Sequence, residues 1–157
     1  MKNEFSFNAK FPALAPRGRG IISNMPASST YKKDITIPEN VIDANNHVNN
    51  VAYVQWMQDI AVEHYSSIGG IEAQGSGATW VVREHKVEYL LPAFLGEEIE
   101  IRTWVENIRK ARSLRKYEFI RKADGKTLAR GETDWVFVDV ETGKPLLISD
   151  AVIGVLS

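Results

Sequence analysis

The sequence contains no cysteine. This absence excludes disulfide bonds, thiolate nucleophiles and zinc–cysteine sites, and it agrees with a reducing compartment, so we expect a cytoplasmic protein. Long apolar runs are missing too: no stretch approaches the roughly 20 residues that span a bilayer, and we expect no membrane insertion. The formal net charge is −1, which leaves no overall basic field for binding nucleic acid.

The first 29 residues lack the periodicity of a helix or a strand. They contain three prolines and an Arg-Gly-Arg-Gly run, so we expect a flexible arm at residues 1–29 and a single domain at residues 30–157. A chain of 157 residues with 44% hydrophobic residues supports one such domain. Two alternatives for the arm stay open: a targeting peptide, because Glu4 is its single acid, or an extension upstream of a start at Met25.

The remaining pattern predicts the order β-α-β-β-β-β. The helix ends near Ser67 before two glycines, and a loop is expected at 72–77. The strands are predicted at 31–37, 79–91, 97–106, 112–122 and 128–138, followed by an apolar tail at 146–156. Gly131 lies within an inward-facing row and predicts a close approach of the helix. One helix cannot cover both faces of such a sheet, so we expect a homodimer or homotetramer in which the second face or an edge of the sheet meets another subunit and the apolar tail is buried.

The stretch 43–50 concentrates polar chemistry directly before the predicted helix. It holds the carboxylate of Asp43, the imidazole of His47 and four asparagines, while the helix carries an apolar stripe at Tyr53, Trp56, Met57, Ile60, Ala61 and His64. Asparagine caps helices, and a helix start combines free N–H donors with partial positive charge. This arrangement predicts a place to hold an oxyanion. If the loop is extended, Asp43, Asn45 and His47 point to one side and Asn46 to the other.

Simpler interpretations of these polar residues stay open. Asp43 and the asparagines can form Asx-turns and a cap without any catalytic role. His64 lies on the apolar stripe, which is typical of a packed histidine. The spacing of the three histidines matches no zinc-ligand pattern, so no metal is expected.

Two segments resemble a known family. The motif Asp43-x-Asn45-x-His47-Val48-Asn49-Asn50-x-x-Tyr53, running into a helix, resembles the signature of hotdog-fold thioesterases acting on acyl carrier protein, and of the related 4-hydroxybenzoyl-CoA-thioesterase type. The run Tyr89-Leu90-Leu91-Pro92-Ala93-Phe94-Leu95-Gly96-Glu97 is similar to the family's strand-end motif. The resemblance covers about residues 31–140. It implies an α+β hotdog fold, in which one long helix is wrapped by a curved antiparallel sheet of about five strands.

The resemblance also implies an activity and the residues for it. The activity is cofactor-independent hydrolysis of acyl-CoA or acyl-carrier-protein (acyl-ACP) thioesters, with an acyl tunnel between helix and sheet and a site between subunits. Asp43 matches the family's general base or nucleophile, and Asn45 and His47 match residues that orient water or substrate. The backbone N–H of Asn50 matches the oxyanion donor. Glu84, in an Arg-Glu pair on the next strand, matches a further catalytic acid, although it can equally be a solvent-facing strand residue.

A basic turn and two rival functions complete the sequence-based interpretation. The basic residues around the turn between two strands are Arg109, Lys110, Arg112, Arg115 and Lys116. They either form a solvated turn or supply at least one residue of a clamp for the phosphates of CoA or phosphopantetheine. One rival is a hotdog dehydratase or hydratase, but the proline-containing context of those enzymes is missing. The other is a non-catalytic hotdog domain that binds acyl thioesters as a sensor. Sensors usually carry a DNA-binding appendage, which the short N-terminal arm cannot form.

Overall fold

The computed structural model describes residues 29–157, so the predicted arm lies outside the described residues apart from Ser29. The sheet order is β1-β3-β4-β5-β2, and all the pairs are antiparallel. One long helix packs on one face of this sheet, so the predicted hotdog architecture is confirmed. The elements are β1 Tyr31–Thr36, α1 Asn50–Ser67, α2 Gly70–Gln74, β2 Ala78–Tyr89, β3 Glu98–Arg109, β4 Arg112–Arg121, β5 Thr127–Asp139 and α3 Asp150–Leu156.

The central helix α1 begins and ends where its sequence predicts. Asn49 is the N-cap, and its side-chain oxygen accepts from Val51 N–H at 2.8 Å. Gly69, with φ of +81°, adopts the left-handed conformation that stops the helix after Ser67. The predicted stripe packs against the sheet: Met57 is completely enclosed, and Trp56 is partly buried. No helix within residues 29–157 is both long and apolar enough to cross a membrane.

The C-terminal segment packs inside the subunit, contrary to the prediction for the apolar tail. Residues 150–156 form α3, whose Val152 and Leu156 are buried in a second core cluster with Tyr65 and Phe137. The prediction that this tail awaits burial by another subunit is therefore wrong for those side chains. The loop expected at 72–77 is also partly wrong, because α2 takes up its first half and packs against α3.

The sheet face away from α1 carries ion pairs instead of an apolar surface. Asp134 on β5 binds the guanidinium groups of both Arg112 and Arg83, and Glu132 binds Lys116. The second face thus gives little reason for a subunit interface. The edge strand β2 gives a better reason for an interface. Among the described residues it pairs only with β5, so one side of its 12-residue backbone has no partner strand.

A glycine on β5 allows α1 to approach the sheet, as the sequence predicts. A Cβ at Gly131 would lie 2.7 Å from Met57 Sδ. Because Met57 is fully buried, it has no free space to move into, and we expect Gly131→Ala to lower the free energy of unfolding by about 1–3 kcal/mol.

The matched control is Gly154→Ala on α3, where an added Cβ meets nothing within 4 Å. The same change there should raise stability by about 1 kcal/mol, because alanine is the better helix former. Urea unfolding measures both variants. Equal stability of the two variants would contradict the close approach of α1 to β5.

Candidate active site

The polar segment forms a tight hairpin loop in front of α1. Ile42 and Val48 pair as an antiparallel bridge, and Asp43 N–H donates to the His47 carbonyl at 2.9 Å. Two further backbone bonds fix the end of the loop: Val48 N–H to the Ala93 carbonyl (2.9 Å) and Asn49 N–H to the Val41 carbonyl (2.7 Å). The main chain therefore sets the entry into the helix, and the tip at 44–46 is exposed.

The prediction of an extended loop is wrong. Asn46 N–H donates to the Asp43 carbonyl at 3.0 Å, which closes a turn, and Asn46 has φ of +62°. Asparagine tolerates this left-handed conformation better than most residues. Alternation therefore does not decide which side chains share a pocket. Asn46→Ala would be strained, so Asn46→Gly is the suitable silent control for this loop.

The Asp43 carboxylate is anchored by the loop that it begins. Its Oδ1 accepts from Asn45 N–H at 2.9 Å and from His47 N–H at 3.2 Å. This is the Asx-turn that the sequence allowed as an alternative. The second oxygen, Oδ2, has no hydrogen-bond partner among the described residues. Asp43 is half-buried, so one of its oxygens is fixed while the other stays available for chemistry.

The first turn of α1 follows this loop in the chain. Asn50 is the first helical residue after the cap, a position whose N–H has no acceptor inside the helix. No other described residue accepts from it. Its carbonyl accepts from the Tyr89 hydroxyl at 2.9 Å, which ties the helix start to the end of β2. The helix start thus offers a free N–H donor where its partial positive charge is greatest.

The two segments that resemble the family motifs meet in the structure. The His47 ring contacts the Phe94 ring edge-on, with centroids 5.2 Å apart. Phe94 is held by its N–H, which donates to Glu97 at 2.7 Å. The segment 89–97 therefore forms one wall of the loop. The sequence singles out this segment through its resemblance to the family's strand-end motif, but it does not predict the contact with the loop.

Glu84 lies apart from this group. Its carboxylate is half-exposed and pairs with Lys86 at 3.3 Å on the sheet face away from α1. The neighbouring His85 faces the helix instead: Nδ1 contacts the Thr133 hydroxyl at 2.8 Å and Nε2 lies 3.4 Å from Gln58. Burial lowers the pKa of His85. Its inward orientation depends on a β-bulge between Val82 and Glu84, which alternation along the strand does not reveal.

The basic turn is at the other end of the sheet from the loop. Arg109, Lys110 and Arg112 join β3 to β4, whereas the loop contacts the segment just before β3. At about 3.3 Å per residue, the length of β3 separates them by roughly 35 Å. Arg112 is engaged by Asp134, while Arg109 and Lys110 are exposed and have no ion pair with any described residue. Arg109 and Lys110 could therefore contact a substrate at the loop only if a second subunit supplied them.

Within residues 29–157 no three His, Asp or Glu side chains are grouped so that they could hold a metal ion. His64 is buried and accepts at Nδ1 from Arg115 at 2.9 Å, while its ring stacks on Tyr31. Burial, reinforced by the nearby guanidinium, lowers the pKa of His64 to about 4. His64 is therefore a neutral core residue, as the packed-histidine interpretation has it.

This lowered pKa predicts a stability change with pH. The unfolded chain binds a proton on His64 near pH 6.5, whereas the folded chain binds one only near pH 4. The stability from neutral His64 is thus complete above pH 6.5 and is lost as the pH falls towards 4. Between pH 6.5 and pH 4 we expect the free energy of unfolding to fall by about 2–3 kcal/mol less in His64→Gln than in the wild type. Urea unfolding at each pH measures this difference. Parallel losses in both proteins would refute the assignment.

Comparisons with known proteins agree with this fold. Residues 37–156 match the family model of the thioesterase-like superfamily. No curated protein sequence matches the chain.

Similar solved structures include a 1,4-dihydroxy-2-naphthoyl-CoA thioesterase from Synechocystis (15% identity, TM-score 0.72, covering 82% of this chain and 96% of that one). A probable thioesterase from Escherichia coli is also similar (19%, 0.70, 80% and 95%). So is a Staphylococcus aureus protein solved in complex with CoA (17%, 0.73, 85% of each). The matched family model spans most of the domain, and the chain belongs to the thioesterase-like superfamily.

Proposed function

We propose that the protein hydrolyses acyl thioesters of CoA or of acyl carrier protein to the free acid and the thiol. The observation that carries this proposal is the fixed Asp43 carboxylate in the loop that ends at the free N–H of Asn50. Thioester hydrolysis needs a group that activates water and a donor for the oxyanion, and this loop supplies both. The thioesterase names among similar structures support the same reaction class.

In the proposed reaction, Asp43 Oδ2 takes a proton from water as the water oxygen bonds to the thioester carbonyl carbon. The carbonyl oxygen becomes an oxyanion and accepts from Asn50 N–H. The C–S bond then breaks, the acid is released, and the departing thiolate takes up the proton. Asp43 could also attack the carbonyl itself, with water hydrolysing the resulting anhydride. Asn45 and His47 flank the carboxylate and would orient the water or the carbonyl.

We further propose that two copies join through the β2 edges. Such a pairing would extend the sheet across both subunits and satisfy the unpaired backbone groups of β2. It would also bring the basic turn of one subunit to the end of the sheet where the other subunit has its loop. CoA phosphates could then reach Arg109 and Lys110.

A dimer or a larger even-numbered oligomer is therefore expected in light scattering at micromolar concentration. A proline in the middle of β2, Arg83→Pro, removes a backbone donor near the centre of the expected pairing and should shift the protein towards monomer. The control is Asp150→Pro, because the first position of a helix tolerates proline and Asp150 is the first residue of α3. A monomeric wild type would exclude both the pairing and a site that needs two subunits.

The activity itself is tested with a panel of acyl-CoA and acyl-ACP thioesters, assayed for thiol release. We expect turnover of at least one member of the panel. Comparing the CoA thioester and the carrier-protein thioester of the same acyl group shows which carrier the protein prefers. Tight binding of thioesters without thiol release would instead support the non-catalytic alternative. Release of water from 3-hydroxyacyl thioesters would support a dehydratase.

A further inference from the structure

A buried cation without a carboxylate partner lies far from the candidate active site in the same subunit. Arg115 on β4 is 4% exposed, and its Nη1 donates to His64 Nδ1 and to the Thr103 hydroxyl at 3.1 Å. Both acceptors are neutral. A guanidinium has five N–H donors, so those on Nε and Nη2 remain without an acceptor in the described part of the chain. Burying a cation in this way is costly unless something else pairs with it.

A cavity of about 190 Å³ lies beside this guanidinium. The side chains of Trp80, Trp135 and Tyr65 also line the cavity. The two indole Nε1 atoms and the Tyr65 hydroxyl are buried and make no hydrogen bond with residues 29–157. The guanidinium and indole N–H groups can only donate, whereas the hydroxyl can donate or accept. The rest of the lining is mainly apolar and includes Ala61, Val62, Ile71 and Leu156. Such a cavity suits a carboxylate carried on an apolar body.

We infer that this cavity receives the far end of the substrate's acyl group and that Arg115 binds a carboxylate there. The preferred substrates would then be thioesters of dicarboxylic acids, with the second carboxylate at the distal end. This inference rests on the proposed thioesterase function, because the ligand that it names is part of a thioester substrate.

The proposed dimer brings the cavity close to an active site. Within one subunit, Val62 and Tyr65 lie 12 to 15 residues beyond Asn50 on α1, which is about 18–22 Å at 1.5 Å per residue. Antiparallel pairing of two β2 strands shortens this path, because the start of one strand lies beside the end of the other. Trp80 at the start of β2 lines the cavity, and Tyr89 at its end holds the start of α1. The cavity of one subunit then lies beside the loop of the second copy.

The cavity also opens to the surface of the subunit. Val62 on α1 and Ile71 on α2 belong to its lining and are 58% and 50% exposed. The cavity is therefore apolar at its mouth and has N–H donors at its inner end, which matches an acyl chain with a charged end. The chain would pass the apolar mouth and place its carboxylate at Arg115.

The test compares two CoA thioesters of equal length, octanoyl-CoA and suberoyl-CoA, which differ in the distal carboxylate. We expect wild-type kcat/KM to favour suberoyl-CoA by about tenfold or more, as a charged hydrogen-bonded pair allows. Arg115→Met should bring the ratio close to one. Arg102→Met removes an arginine from the outer face of β3, where it pairs with Glu100, and should keep the wild-type ratio.

A binding measurement keeps the inference separate from catalysis. Octanoate carries a carboxylate on an apolar chain, whereas 1-octanol does not. Octanoate should raise the Tm of the wild type and of Arg102→Met but not of Arg115→Met, and 1-octanol should shift all three alike. A carboxylate-specific shift without any thioester turnover would support the cavity while refuting the proposed function.

The inference is overturned if thioesters are hydrolysed but the wild type treats octanoyl-CoA and suberoyl-CoA alike or prefers the former. This result needs no variant, so it decides the matter even if Arg115→Met does not fold. An octanoate shift that is the same in Arg115→Met as in the wild type would equally overturn the role of Arg115.

Discussion

Replacing Asp43 by asparagine is expected to leave a folded protein whose kcat is about 10²–10⁴-fold lower. The amide oxygen of asparagine can still accept from the N–H groups of Asn45 and His47, so the loop keeps its turn. The amide can neither take a proton from water nor attack a carbonyl. Turnover of the best thioester from the panel, together with thermal unfolding, measures both parts of the expectation.

Asp43→Ala serves as the comparison, because it removes the acceptor as well as the charge. We expect it to lose activity to the same extent and to unfold at a lower temperature than Asp43→Asn. Asn46→Gly, which suits the left-handed backbone at the loop tip, should resemble the wild type in both measurements. A folded Asp43→Asn variant with turnover within a few-fold of the wild type would remove Asp43 from the mechanism.

A second large effect is expected from proline at Asn50. The first position of a helix tolerates proline, and the preceding Asn49 has φ of −59° and ψ of 134°, the extended conformation that residues before proline adopt. Asn50→Pro should therefore keep α1 while deleting the one backbone N–H proposed to hold the oxyanion. We expect kcat to fall by about 10²–10³-fold.

Asn50→Ala is the matched control, since it removes the exposed side chain and keeps the N–H. It should turn over at nearly the wild-type rate. The carbonyl of residue 50, which accepts from Tyr89, is present in all three proteins. Circular dichroism confirms that the helix persists. If Asn50→Pro is folded and as active as Asn50→Ala, the oxyanion is held elsewhere.

The sequence predicts those parts of the fold that depend on local patterns. Alternation located the strands, the 3.6-residue stripe located α1, and Asn49 and Gly69 marked its ends because capping is a property of neighbouring residues. The close approach at Gly131 was predictable because a glycine within an apolar strand row commonly marks a place where a neighbouring element leaves no room for a Cβ. The sequence did not predict α3, because a short apolar segment has the same pattern whether it packs inside its own subunit or against another one.

The arrangement of the site depends on tertiary contacts that a pattern cannot show. The turn at Asn46 is local, yet its positive φ is one of several conformations that asparagine permits. The contact of His47 with Phe94 joins segments 47 residues apart in sequence. Likewise, Arg115 looks like one more cation of a basic turn until β4 is seen to point it into the core. The orientation of Glu84 and His85 depends on a bulge, which reverses the alternation that the sequence alone would assign.

The strand order has a consequence for how the chain folds. The pairs β3–β4 and β4–β5 join neighbours in sequence, whereas β1 pairs with β3 across more than 60 intervening residues and β2 with β5 across nearly 40 at their closest. Closing long loops costs more entropy, so the three-stranded meander is expected to form first, with β1 and β2 added at its two edges afterwards. The polar loop and α1 lie in the segment between those two late strands. The candidate active site is therefore built last, on a sheet that already exists, and catalytic competence during refolding would lag behind the formation of the sheet.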